Sequence, residues 1–252
     1  MKLDRVTMTG ADDSVINPRD LDDISQEYPF VEFGVLVSAS QTCDGVPRFP
    51  SLAWIHGLKK FPELNLSLHV CGRWVRMLLA GHVDPVLLNL ASDNYQRIQL
   101  NFHAERNECD PKAMVRALER LKAYGPNKDR QFIFQIDGEM GADHLNDVEE
   151  YNDDGLDIVG LFDVSHGAGM LPDSWPSPDD ALMHLHGYYG YAGGLGPDNL
   201  AKQIPLIGEA AGSYRHWIDM ETQIRSNDDR QFDLAKVRKC LEIAKPFITG
   251  DA

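Results

Sequence analysis

Cysteine is scarce in this chain: four among 252 residues, Cys43, Cys71, Cys109 and Cys240, with no two set as C-x-x-C. That scatter argues against a disulfide framework and against a thioredoxin-like redox pair, and reduced thiols are expected. Basic residues are outnumbered, 24 against 39 acidic, for a net charge of −15. A duplex nucleic acid or an anionic membrane surface needs a basic footprint, so neither is an expected partner. A small anion is not excluded, because backbone N–H groups can bind phosphate inside an acidic protein. No apolar run approaches the ~18 residues of a membrane-spanning helix. The opening Met1-Lys2-Leu3-Asp4-Arg5 has no apolar signal core, so a cytoplasmic protein is the expectation.

What is present is an ordinary globular composition, 43% apolar and 25% charged, enough for a large core without disulfides. Strand-like runs recur at Arg5–Gly10, Phe30–Ser38, Leu64–Cys71, Arg97–His103, Arg130–Asp137, Asp157–Ser165, Gly187–Gly193 and Arg215–Glu221. Their starts lie mostly roughly 25–35 residues apart, the pitch of a βα unit and not of a hairpin. Helical patterns fill several gaps: Lys112–Tyr124 after Asp110-Pro111, Asp198–Gly212 after Pro197, and Leu234–Pro246 after Asp233. Asp or Pro at such starts is N-terminal helix chemistry. Arg19–Tyr28 and Ser51–Phe61 are further helices, while residues 72–95 and 138–156 show no clear pattern. Eight such units in a chain of 252 residues predict a single (β/α)8 TIM barrel spanning 1–252, with a doubly wound sheet as the alternative.

In a barrel the site lies at the C-terminal strand ends. Several strand ends carry polar residues two apart, which share a strand face: His69 and Cys71, Asn101 and His103, Gln135 and Asp137, Asp163 and Ser165, Asp219 and Glu221. Repeated at one end of many strands, they suggest a site lining. The most specific segment is Gly190-Tyr191-Ala192-Gly193-Gly194-Leu195-Gly196-Pro197-Asp198-Asn199. A strand running into glycines and a helix start is the layout of a phosphate cradle. The acidic doublets Asp12-Asp13, Asp22-Asp23, Glu149-Glu150, Asp153-Asp154 and Asp228-Asp229 read as solvated faces. Tyr188, Tyr189 and Tyr191 near Trp217 read as packing more readily than as a stacking platform.

These segments resemble phosphoribosylanthranilate isomerase, a (β/α)8 enzyme. Gly193-Gly194-Leu195-Gly196-Pro197-Asp198-Asn199 is similar to the family's "GGL-x-P-x-N" phosphate motif after strand seven. Leu161-Phe162-Asp163, followed by Gly167-Ala168-Gly169 and Trp175, resembles its "LLD", G-x-G loop and Trp. Arg48-Phe49-Pro50-Ser51 resembles its "RYIS", and Gln99 to His103 loosely resembles its "QLH". The resemblance implies an Amadori-type rearrangement, with Asp163 as general acid and Arg48 on an anionic group. It further implies that Gly193, Gly194 and Thr222 hold phosphate, and that Gly169, in the loop beside the acid, and Thr9, at the end of strand one, also contact the substrate.

Two stretches depart from the pattern. Thr9 stands where the family has its basic Cys, and a Thr hydroxyl is no base at neutral pH without help. In strand eight, Asp219-Met220-Glu221-Thr222-Gln223 has Glu where the family has Ser and Gln where it has Gly. A base is therefore expected from Glu221, with Cys71 and His103 behind it, and authentic phosphoribosylanthranilate isomerase activity is not expected. The reading is a divergent isomerase on a phosphorylated sugar or related small anion, with no cofactor and no metal, as a monomer or a homodimer.

Two other functions are open. His69, Cys71, His103, Asp137, Asp163, His166, Asp219 and Glu221 could supply a metal-assisted lyase or hydrolase, although no HExxH spacing supports it and the one HxH, His184-Leu185-His186, precedes strand seven. A non-catalytic barrel that binds a ligand or a partner is the third.

Overall fold

The computed structural model of the chain describes residues 2–41, 46–102, 109–125, 127, 129–136, 148, 150–152, 155–163, 169–179 and 187–249. Eight strands close into one parallel barrel in sequence order. They are β1 (Leu3–Thr9), β2 (Val31–Ser38), β3 (Leu66–Cys71), β4 (Arg97–Leu100), β5 (Gln131–Ile136), β6 (Asp157–Asp163), β7 (Tyr188–Ala192) and β8 (Arg215–Met220). The seam pairs β1 with β8, Thr7 opposite Asp219 and Met8 opposite Met220. The (β/α)8 expectation is met at every strand, with ends that shift by a few residues. β4 is the shortest of the eight, since its ladder stops at Leu100.

Among the described residues the helices between them are α1 (Pro18–Glu27), α2 (Leu52–Gly57), α3 (Arg73–Leu79), α4 (Pro85–Ala91), α5 (Pro111–Ala123), α6 (Leu200–Ala211) and α7 (Leu234–Ala244). Their starts follow from side-chain acceptors for otherwise unpaired N–H groups. Asn17 and Asp20 form a capping box on α1, and Asp84, Asp110 and Asp233 cap α4, α5 and α7. The patternless stretch 72–95 holds two short helices, α3 and α4, separated by Ala80–Asp84, which is why no continuous 3.6-residue period runs through it. Ser51 is the N-cap of α2, which gives way to a 3-10 turn at Leu58–Lys60. No helix among the described residues is long and apolar enough to cross a membrane.

The main apolar core lies between the strands and the helices. A second, smaller cluster of Ile133, Val159, Leu161 and Trp217 comes from the opposite strand faces and fills one side of the barrel interior. Gly190 makes room for it: a Cβ there would sit 2.3 Å from Trp217 Cε2 and 2.5 Å from Leu161 Cδ1. The other side of the interior is charged. Fully buried Glu32 accepts from Arg97 Nε at 2.8 Å, from Arg5 Nη1 at 2.8 Å and from Thr7 Oγ1 at 2.9 Å. Burial works to raise the Glu32 carboxyl, but Arg97 and Arg5 outweigh it and hold it at about 2. Arg97 also lies 4.4 Å over the Trp217 ring, joining the two halves. Tyr189 and Tyr191 are buried, and Tyr188 packs its ring 4.7 Å from that of Trp217, so these aromatics are packing residues.

Candidate active site

Parallel strands of one barrel deliver their C-terminal ends to one rim, and a cavity of ≈ 330 Å³ opens there. Thr9, Arg48, Cys71, Asp163, Gly169, Gly193, Gly194, Glu221 and Thr222 all line it. These come from six different strand ends or the loops after them. His103 lies outside the described residues, as do Asp137, Ser165, His166, His184 and His186.

The floor is built by Thr9 of β1, His69 of β3 and Asp219 of β8. Thr9 Oγ1 donates to Asp219 Oδ1 at 2.8 Å across the seam. Burial raises the Asp219 carboxyl well above its ordinary range, and the nearby negative charge of Glu221 adds to this against the Thr9 hydrogen bond. His69 is buried, its Nε2 has no hydrogen-bond partner among the described residues, and burial pushes its pKa down to about 3. The ring is neutral at physiological pH.

One wall is amide-rich. Gln99 Nε2 donates to Asn101 Oδ1 at 2.8 Å, and Asn101 Nδ2 donates to Cys71 Sγ at 3.2 Å. Burial pushes the Cys71 thiol up to about 12 despite that bond, so it stays protonated at neutral pH. Gln135 Nε2 donates to Asp163 Oδ2 at 2.7 Å, which fixes the acid at the end of β6.

The second wall is the turn after β7. Gly194 adopts φ +62° and packs so tightly that a Cβ would meet Leu171 N at 2.5 Å. The Asn199 side chain closes the turn at both ends, donating to Gly194 O at 2.8 Å and accepting from Gly196 N at 3.0 Å. α6 begins one residue later, so Pro197 lies in the turn and not in the helix. Among the described residues the N–H groups of Gly194 and Leu195 have no acceptor. Thr222 closes over Gly169, and Gln223 Nε2 donates to Gly169 O at 3.3 Å.

The mouth carries an ion cluster between the β2 and β8 loops. Arg48, held at φ +73°, pairs through Nη1 with Glu221 and through Nη2 with both oxygens of Asp229, at 2.7 and 2.6 Å. Its backbone N–H donates to Asp12 Oδ2 at 2.8 Å. Behind it, fully buried Arg225 donates to Gly10 O at 2.6 Å and pairs with Asp12 and Asp229. Glu221 therefore both lines the cavity and pairs with an arginine. Burial raises its carboxyl above the ordinary range; Arg48 opposes this and the charge of Asp163 adds to it.

Sequence reasoning missed Asp12 and Asp229, both read as solvated doublet members. Asp12 is 1% exposed and organises two arginines. Among the described residues no group of three or more His, Cys, Asp or Glu is disposed to hold a metal ion.

The fold and cavity define the class: a (β/α)8 barrel with a polar pocket at the C-terminal strand ends. No family profile matches the chain, and no curated protein sequence does. Solved structures do. The phosphoribosyl anthranilate isomerase from Thermococcus kodakaraensis is similar at TM-score 0.52 and 16% identity, over 96% of this chain and 99% of that one. The monomers generated from the dimeric phosphoribosylanthranilate isomerase of Thermotoga maritima are similar at TM-score 0.55 and 12% identity, over 96% and 99%. At such identities the likeness speaks for the fold.

Proposed function

We propose that the chain acts as one unit, residues 1–252, and isomerises a small phosphorylated sugar by general acid and base catalysis. The observation that carries this reading is the placing of Asp163 and Glu221 on one cavity whose remaining wall is the Gly169, Gly193, Gly194 and Thr222 turn cluster. Phosphate would be held by the unpaired N–H groups of that turn, where a backbone site needs no lysine.

Asp163, steadied by Gln135, delivers its proton to the ring oxygen and opens the sugar. Opening is driven from C1, by loss of its hydroxyl proton or by the nitrogen lone pair. Glu221 then takes the proton from C2 to give an enol, and protonation at C1 with loss of the C2 hydroxyl proton completes the ketose or aminoketose. No oxidant enters or leaves. A carboxyl raised towards the operating pH is the better base, which favours Glu221. The neutral thiol of Cys71 disfavours it in that role. Thr9 orients Asp219 and leaves it as a second proton donor on the floor. Arg48 fixes Glu221.

The dimeric source of the Thermotoga maritima neighbour supports testing for a homodimer by light scattering. The function itself is tested by assaying aldose phosphates and glycosylamine phosphates with the wild type and with Asp163→Asn. Turnover in the wild type and its loss in the variant support the acid. Wild-type turnover in Asp163→Asn removes it.

A further inference from the structure

We propose that the Arg48–Glu221–Asp229 cluster restricts the site to phosphorylated ligands whose remaining body is a neutral or aminated polyol, and that it excludes a carboxylate there. The inference rests on the phosphate reading above and concerns the other end of the ligand.

The resemblance assigns Arg48 to an anionic group of the substrate. In the structure that guanidinium already serves two carboxylates, one Nη on Glu221 and the other on both oxygens of Asp229. It is the one Lys or Arg among the described lining residues. Arg225 cannot replace it, because its donors are spent on Gly10, Asp12 and Asp229 behind the wall. The carboxylates Arg48 serves, Glu221 on the cavity wall and Asp229 at the mouth, stand at this end of the site. A ligand carboxylate would enter beside these two with no other Lys or Arg among the described lining residues to receive it. Like charges set together in a partly desolvated site repel strongly.

The amide wall also presents open acceptors to the cavity. Among the described residues Gln99 Oε1 and Gln135 Oε1 have no hydrogen-bond partner, although the two glutamines are 4% and 5% exposed. Buried acceptors left unpaired disfavour any ligand that cannot complete them. Hydroxyl and amine hydrogens complete them, and carboxylate oxygens do not. The neutral ring of His69, 1% exposed with Nε2 unpaired, offers a further hydrogen bond to a hydroxyl. Both features select the same chemistry, a body rich in O–H or N–H.

The test uses two probes that differ at one carbon, glucitol 6-phosphate and 6-phosphogluconate, titrated calorimetrically into the full chain. Glucitol 6-phosphate is expected to bind about tenfold tighter or better than the carboxylate. In Asp229→Asn and Glu221→Gln, which release Arg48, that gap is expected to close. Equal or tighter binding of 6-phosphogluconate to the wild type overturns the exclusion and leaves the phosphate site standing. An undiminished gap in both variants overturns the role of the cluster. Failure of both probes to bind overturns the phosphate reading, and the inference with it.

Discussion

Thr9 and Asp219, 210 residues apart, meet across the barrel seam, with the Thr9 hydroxyl donating to the Asp219 carboxyl at 2.8 Å. The bond puts an acid at the cavity floor where water cannot solvate its charge. Its folded-state pKa lies well above the ordinary 3.8. The folded state thus binds this proton more tightly than the unfolded chain. The stability it contributes is full below pH 3.8 and is lost as pH rises through the raised value. Asp219→Asn removes that loss. Urea midpoints between about pH 4 and about pH 8 should show the variant gaining on the wild type as pH rises. Parallel pH dependences would refute the assignment.

Glu32 is the opposite case. Arg97 and Arg5 hold its carboxyl at about 2 against 4.5 in the unfolded chain. Its contribution is complete above pH 4.5 and is lost as pH falls through about 2. Glu32→Gln leaves Arg97 buried without its counter-charge and is expected to cost about 3–5 kcal/mol at neutral pH. Denaturation at neutral and acid pH checks this. A cost that persists undiminished in strong acid would show that the charge is not its source.

These two carboxyl groups mark how far the sequence could be read. The eight strands were legible because each is a short apolar run between turn residues, and α5 and α7 because Asp110 and Asp233 announce them. Asp163 and Glu221 could be placed at one rim from strand parity, and Gly193 and Gly194 from the glycine turn that leads from a strand into a helix start. Glu32 could not, because its meaning depends on Arg97, 65 residues away. Asp12 and Asp229 were hidden for the same reason. An Asp in an acidic doublet reads as solvated until the fold brings Arg48 and Arg225 to it.

Gly190 is a packing requirement of the barrel interior. Its Cβ in Gly190→Ala would stand 2.3 Å from the Trp217 ring. Overpacking of this kind costs about 1–3 kcal/mol. Thermal unfolding with Trp fluorescence reports both the loss and the displaced indole. An unchanged melting temperature would mean that Trp217 does not occupy this space.

Cys71 lines the cavity as a neutral thiol at about 12. Alkylation by iodoacetamide requires thiolate, so labelling of the Cys71 peptide should be slow at neutral pH and rise only under strongly alkaline conditions. Mass spectrometry of the digested protein reads it directly. Rapid neutral labelling would restore Cys71 as a candidate base.

The central claim is that Glu221 and Asp163 move protons on a phosphorylated sugar. The most direct measurement follows aldose phosphates by proton NMR in D2O with catalytic amounts of the protein. Loss of the C2 proton signal with formation of the ketose is expected for the wild type. Glu221→Gln should slow it by ~10²–10⁴-fold. Equal C2 exchange in wild type and Glu221→Gln, or phosphate binding with no exchange in any aldose phosphate, would contradict it.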